Sequence, residues 1–267
     1  MNVLMYHDIV AAGEEDTSGF PGRDAALYKV TPATFAAHLD ALALLHDLPG
    51  PVAVPAPPRH PTVVMTFDDG GRSALLAADL LEQRARIGHF FVTTDYIGIR
   101  GFLTEGEIRE LAQRGHVIGS HSCSHPLRMG HCSWSQLLAE WSRSCSILGD
   151  IVGDEVRSAS VPGGDFAPQV AEAAARAGIT QLFTSEPTGD ARYAFGLTTI
   201  GRFAIQRGTT ADTAAALASG DWLPCARQAV LWKAKKVSKR LGGQRYLQIR
   251  KLLLRHGDDV RWGDTHS

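Results

Sequence analysis

The stretch TVVMTFDDGG, residues 62–71, ends an apolar run with two adjacent carboxylates, Asp68 and Asp69. Like charges side by side repel, and strand stability gains nothing from them. One aspartate is accounted for by a strand-ending turn in which it caps the next helix and Gly70 gives the backbone its freedom; two are not. Neighbouring residues at a strand end point in different directions, so one carboxylate can hold a cation while the other stays free as a base. A divalent ion would relieve the repulsion and keep its own ligand ionised. Further on, GSHSCSHP (119–126) carries His121 and His125, spaced so that both imidazoles can reach one ion across a tight turn. Such a pair alone is modest support for a metal site. Joined by a carboxylate, with positions left for water, it becomes a donor set suited to catalytic zinc or a related divalent ion. Cys123, between the two histidines, should point away from them and reads as a packed thiol.

The elements that must position these residues alternate between strand-like and helix-like. NVLMYHDI is a strand. Thr31 caps and Pro32 opens the helix TPATFAAHLDALALL. TVVMTF is a strand, followed by a helix over about residues 73–86 and the strand HFFVTT, where His89 reads as packing. Thr104 caps EGEIRELAQRG, and HVIGS follows as a short strand. Ser133 opens WSQLLAEWSRSCSIL, with Trp134 and Trp141 as helix core. VRSASV, ITQLFTS and GLTTIGRFAI are strands, APQVAEAAARAG is a helix, and Thr209 opens another. This alternation argues for a parallel sheet with helices outside it. The expected fold is α/β, a distorted (β/α) barrel of about seven parallel strands, with an open doubly wound sheet as the alternative. Functional residues in such folds gather at the C-terminal ends of strands. His7, the aspartate pair, Thr93 to Asp95, the histidine motif and VPGGD (161–165) all fall there and should share one mouth.

The chain's 267 residues suit one large domain, here expected over 1–220, with a basic helical extension over 221–267. An apolar fraction of 44% supports a sizeable core, and a net charge of −1 gives no argument for nucleic acid as a partner. LPGPVAVPAPPRHP (48–61) reads as a proline-rich surface connection. From Lys233 to Arg255 the extension carries basic residues and no acid, as a solvated helical face or as peripheral contact with an anionic membrane surface. The segment MNVLMYHDIV shows no basic leader, long apolar core or cleavage site, so the expected location is the cytoplasm, peripheral to the inner membrane face. Four cysteines without C-x-x-C spacing read as free thiols.

TFDDG, GSHSCSHP and the run IRELAQRGHVIGSHSCSHP resemble the first two motifs of the polysaccharide deacetylases, carbohydrate esterase family four, and LMYHDI resembles an opening strand of that family. The resemblance covers about residues 1–205. It implies Asp68 as catalytic base and Asp69, His121 and His125 as ligands of a divalent ion, zinc first, with cobalt, nickel or manganese as alternatives. The implied reaction removes an N-acetyl, less commonly an O-acetyl, group from a saccharide or glycolipid of envelope or exopolysaccharide synthesis. VPGGD resembles the third motif, which implies the Gly163 amide as an oxyanion donor. Two features depart from the pattern. Ser160 stands where the family has an arginine that orients the base, and Arg202 in TIGRFAI could supply that guanidinium or pair at the surface. No histidine occurs between His131 and His256 to serve as the late general acid, which leaves His7, a bound water or Asp68 itself. On this resemblance Phe20 and Tyr28, in the loop after the first strand, either stack on sugar rings or belong to a plain surface loop. Hydrolysis of a formamide or cyclic amide, and a catalytically weak relative that binds metal and glycan, are the alternative functions.

Overall fold

Residues 63–67, VVMTF, are buried along their whole length, as a strand covered on both faces must be. The computed structural model, which describes residues 2–45, 63–234 and 236, places this segment as the second strand of a nine-stranded sheet. The strands are β1 (Asn2–Tyr6), β2 (Val63–Phe67), β3 (His89–Val92), β4 (Val117–Ser120), β5 (Ser158–Ser160), β6 (Gln181–Phe183), β7 (Ala191–Ala194), β8 (Leu197–Ile200) and β9 (Phe203–Ala204). They lie in the order β7-β8-β6-β5-β4-β3-β2-β1-β9. Every neighbouring pair is parallel except β7–β8.

That order requires curvature. If the sheet were flat, β8 and β9 would stand about 34 Å apart at the usual strand spacing. Only Gly201 and Arg202 join them, and so short a link spans at most about 11 Å. The sheet therefore curls until its two ends are neighbours, and the barrel is closed by the chain itself. The expected (β/α) barrel class is borne out, with two corrections. GLTTIGRFAI is not one strand: it changes partner at Gly201–Arg202, pairing with β6 before and β1 after. β7 has no apolar face to announce it, since all four residues are exposed, and its backbone pairs as the antiparallel edge beside β8.

The helices are α1 (Arg23–Ala26), α2 (Pro32–Ala43), α3 (Ala74–Glu82), α4 (Glu105–Gln113), α5 (Trp134–Val152), α6 (Pro168–Arg176) and α7 (Ala211–Ser219). Three expected caps are made: Thr31 accepts from the Thr34 amide, and Thr104 and Ser133 form capping boxes with Glu107 and Gln136. The cap of α7 is Thr210, one residue later than the expected Thr209; the Thr209 hydroxyl instead accepts from the Gln206 amide. In α5, Trp141 is buried, but Trp134 sits in the first turn and is 42% exposed, so it is not core.

Alternation in the strands sets the layers. Val63, Met65 and Phe67 of β2 join the large cluster between sheet and helices, whereas Val64 packs inside the barrel with Val3, Phe91, Phe183 and Ile200. Thr66 and Asp68 continue the inner row. The pleat thus aims Asp68 into the barrel.

The chain divides into two units, Met1–Cys225 and Ala226–Ser267, and the first holds all of the sheet. Among the described residues no helix is long and apolar enough to cross a membrane. The proline-rich connection at 48–61 and, of the expected basic helical extension, residue 235 and everything from 237 onward lie outside the described residues.

Candidate active site

Five strand ends converge on Asp68, which follows β2 and is 4% exposed. Arg202, from the β8–β9 link, is fully buried and grips both carboxylate oxygens, Nη1 to Oδ1 at 2.7 Å and Nη2 to Oδ2 at 2.7 Å. Two further donors are used: Nε reaches the Thr184 carbonyl and Nη1 the Thr66 hydroxyl, each at 3.0 Å. Phe91 lies beneath the guanidinium, 5.7 Å from ring centre to Cζ. Arg202 thus brings a guanidinium to the aspartate from a different strand end than the one where Ser160 stands.

Ser160 has a different task. Its hydroxyl donates to Asp68 Oδ1 at 3.1 Å and lies 2.5 Å from His121 Nδ1, which is also 3.1 Å from the Ser160 carbonyl. A hydroxyl that gives its proton to a carboxylate accepts from Nδ1–H, and this leaves the His121 Nε2 lone pair free. That atom faces Asp69 Oδ1 at 3.3 Å, and His125 Nε2 faces the same oxygen at 3.5 Å. One donor atom from each of Asp69, His121 and His125 lies within 4.8 Å of the other two. Asp69, Ser122 and His125 all adopt left-handed backbone, with φ of 78°, 65° and 56°. Left-handed backbone is uncommon for non-glycine residues, and three such residues meet at this one cluster.

The protonation states suit a cation. Burial raises the Asp68 pKa, but Arg202, His121, the Arg202 hydrogen bonds and His7 together outweigh it and hold the carboxyl well below the usual range. Burial likewise raises Asp69, but its neighbours His121, His7 and His125 outweigh it and bring the carboxyl below the usual range. Burial, then repulsion from His121, pushes His125 down to about 4. At neutral pH both carboxylates are ionised and His125 is neutral, the forms that bind metal. The donor set fits a divalent ion.

His7 acts on both aspartates electrostatically, lies tilted against Tyr28 with ring centres 4.9 Å apart, and its buried Nδ1 has no hydrogen-bond partner among the described residues. Gly163 lies in the turn after β5 with φ 61°, where a Cβ would meet the Leu127 carbonyl at 3.0 Å. Glycine is required there on both counts. Phe20 is committed to packing, with ring centres 4.8 Å from His125, 4.8 Å from Tyr96 and 5.1 Å from Phe102. Sequence reasoning missed what anchors its loop. Lys29 Nζ, buried, donates to the carbonyls of Glu15, Ser18 and Phe20 and lies 3.6 Å from Asp8.

Residues 56–182 match the polysaccharide deacetylase family model. This stretch contains Asp68, Asp69, His121, His125 and Gly163; His7 and Arg202 fall outside it. YxkH of Bacillus subtilis (strain 168), which carries a polysaccharide deacetylase name, is 27% identical over 136 residues, 51% of this chain and 48% of that protein. The matched stretch thus spans about half the length of this curated relative. The Streptococcus pyogenes deacetylase PplD, solved in complex with acetate, superposes with a TM-score of 0.67 at 22% identity over 79% of this chain and 95% of its own. BC0361, a polysaccharide deacetylase from Bacillus cereus, gives 0.68 at 20% identity over 81% and 68%. The curled sheet is the fold that these solved deacetylases share, and residues 56–182 are similar to the polysaccharide deacetylase family, as the motifs imply.

Proposed function

We propose that the protein is a divalent-metal-dependent deacetylase that hydrolyses N-acetyl groups, and less readily O-acetyl groups, on a saccharide or glycolipid. The observation that carries this reading is the juxtaposition of two differently used carboxylates: Asp69 among two imidazoles, Asp68 gripped by Arg202. When bound by Asp69, His121 and His125, a divalent ion supplies Lewis acidity that polarises a carbonyl and lowers the pKa of water from ~15.7 toward ~7. The chain's own residues do the rest. Asp68, ionised throughout the working range, receives the proton of the attacking water at a carboxylate oxygen. Arg202 fixes the plane of that carboxylate, and Ser160 ties its orientation to the imidazole of His121. The Gly163 amide, in a turn that only glycine tolerates, is the donor for the developing oxyanion. His7, near both carboxylates, is the group that returns a proton to the leaving amine.

Acetate release from N-acetylated oligosaccharides by the zinc- or cobalt-loaded protein tests the reading. Asp68→Asn is expected to lower kcat by at least about 100-fold, in line with loss of a positioned base, while leaving metal content unchanged. Stoichiometric metal with no acetate released across a broad panel would overturn the enzyme reading. Normal metal content in His121→Ala and Asp69→Ala would overturn the ligand assignment.

A further inference from the structure

The turn that carries the two histidines is gripped by α5 at two points one helical turn apart. Glu140 Oε2 accepts from the backbone amides of Cys123 at 2.8 Å and Ser124 at 2.9 Å, and its Oε1 accepts from the Ser124 hydroxyl at 2.6 Å. From the next turn of the helix, the Ser144 hydroxyl lies 2.8 Å from that of Ser120, which accepts from the Ser122 amide at 3.1 Å. The carbonyl side of the turn is held by the Thr94 amide on Ser122 and the Asp95 amide on Cys123. These bonds enclose the two left-handed residues, Ser122 and His125. The most concentrated of them, three to one carboxylate, are made to a residue that is not among the proposed ligands.

We propose that Glu140 is a positioning residue for the ligand pair: its carboxylate fixes the turn between His121 and His125 so that both imidazoles face Asp69 in the metal-free protein. The physical case is that a carboxylate accepting two amide protons and a hydroxyl proton makes charge-assisted bonds, stronger than neutral ones. Without Glu140 the two amides would turn toward water and the left-handed residues would relax, moving one imidazole away from the other. Outer partners of metal ligands act in this way, through orientation. The inference rests on Asp69, His121 and His125 being the metal ligands.

The test is a zinc titration of the full chain against a competing chromophoric chelator, with thermal unfolding of each metal-free protein alongside. Glu140→Gln retains size but loses the charge and one acceptor. It is expected to weaken zinc binding by about 10–100-fold and to change the absorption spectrum of the cobalt form, while the metal-free protein still unfolds cooperatively. A role confined to stability would lower the metal-free Tm and leave the affinity unchanged. Folded Glu140→Gln with zinc affinity within about twofold of wild type would overturn the proposal. If Glu140→Gln does not fold, Glu140→Asp decides instead: it keeps the charge but shortens the reach, and wild-type affinity there overturns the proposal. Absence of zinc binding by the wild type would overturn the metal reading and this inference together. Normal wild-type binding with an unchanged variant would overturn this inference alone.

Discussion

Arg202 meets Asp68 in a fully desolvated fork, and removing either partner leaves the other charge stranded. Arg202→Met is therefore expected to destabilise the fold by about 3–5 kcal/mol, as for other broken buried pairs. Deacetylation in the surviving folded fraction should fall by roughly 100-fold, because the carboxylate loses its fixed plane. Thermal unfolding and acetate release, measured on the same preparation, check both halves. Arg202→Lys should not rescue activity, since an ammonium cannot span both oxygens and reach the Thr184 carbonyl; wild-type kcat in that variant would refute the orienting role. The pairing also bears on how the site is legible from residues alone. Asp69, His121 and His125 can be grouped on local spacing and strand ends. The Asp68–Arg202 contact joins residues 134 apart, and nothing local in TIGRFAI distinguishes a buried arginine from one at the surface. Ser160 was visible only as a departure from the family pattern; its bridge between Asp68 and His121 needs coordinates to be seen.

At the level of elements, the loop over residues 13–22 is held by a single buried cation. Lys29 supplies all three ammonium hydrogens to loop carbonyls, and Asp8, 1% exposed, supplies the compensating charge while accepting from the hydroxyls of Ser18 and Ser73. Lys29→Met should cost about 3–5 kcal/mol, the range for a buried charge pair broken on one side. Amide hydrogen exchange should quicken throughout residues 13–22 while β2 and β4 stay protected. Unchanged exchange in the loop would show that its order comes from elsewhere. Helices and most strands were legible because caps and apolar periodicity are local signals, as at Thr104 with Glu107 and Ser133 with Gln136. β7 was not, being exposed and defined only by its partner, and neither was the change of partner inside GLTTIGRFAI. Glu140 left a fainter trace: Ser144 occupies a buried position in line with Leu137, Trp141 and Leu148, which marks a polar task on that face of α5.

For the whole molecule, the barrel interior contains a histidine that must stay neutral. His89 is 3% exposed, neither ring nitrogen finds a hydrogen-bond partner among the described residues, and burial pushes its pKa down to about 4. The unfolded imidazole titrates near 6.5, so as pH falls the unfolded chain takes up this proton before the folded one does. The stabilising contribution is intact above about 6.5 and is lost progressively toward about 4, with a full span of about 3 kcal/mol. His89→Leu should flatten the dependence of unfolding free energy on pH across that window and leave stability at pH 7.5 unharmed; an unchanged slope would refute the assignment. The two-residue link between β8 and β9 has a consequence for how such a chain is made. Synthesis delivers Asp68 early and its guanidinium late, after eight of the nine strands have emerged. An interrupted product that stops before residue 202 keeps the aspartate without its counter-charge and the sheet without its final span. Completion of the chain and completion of the charged pair are therefore a single event, so a truncated copy lacks the carboxylate geometry that activity is proposed to require.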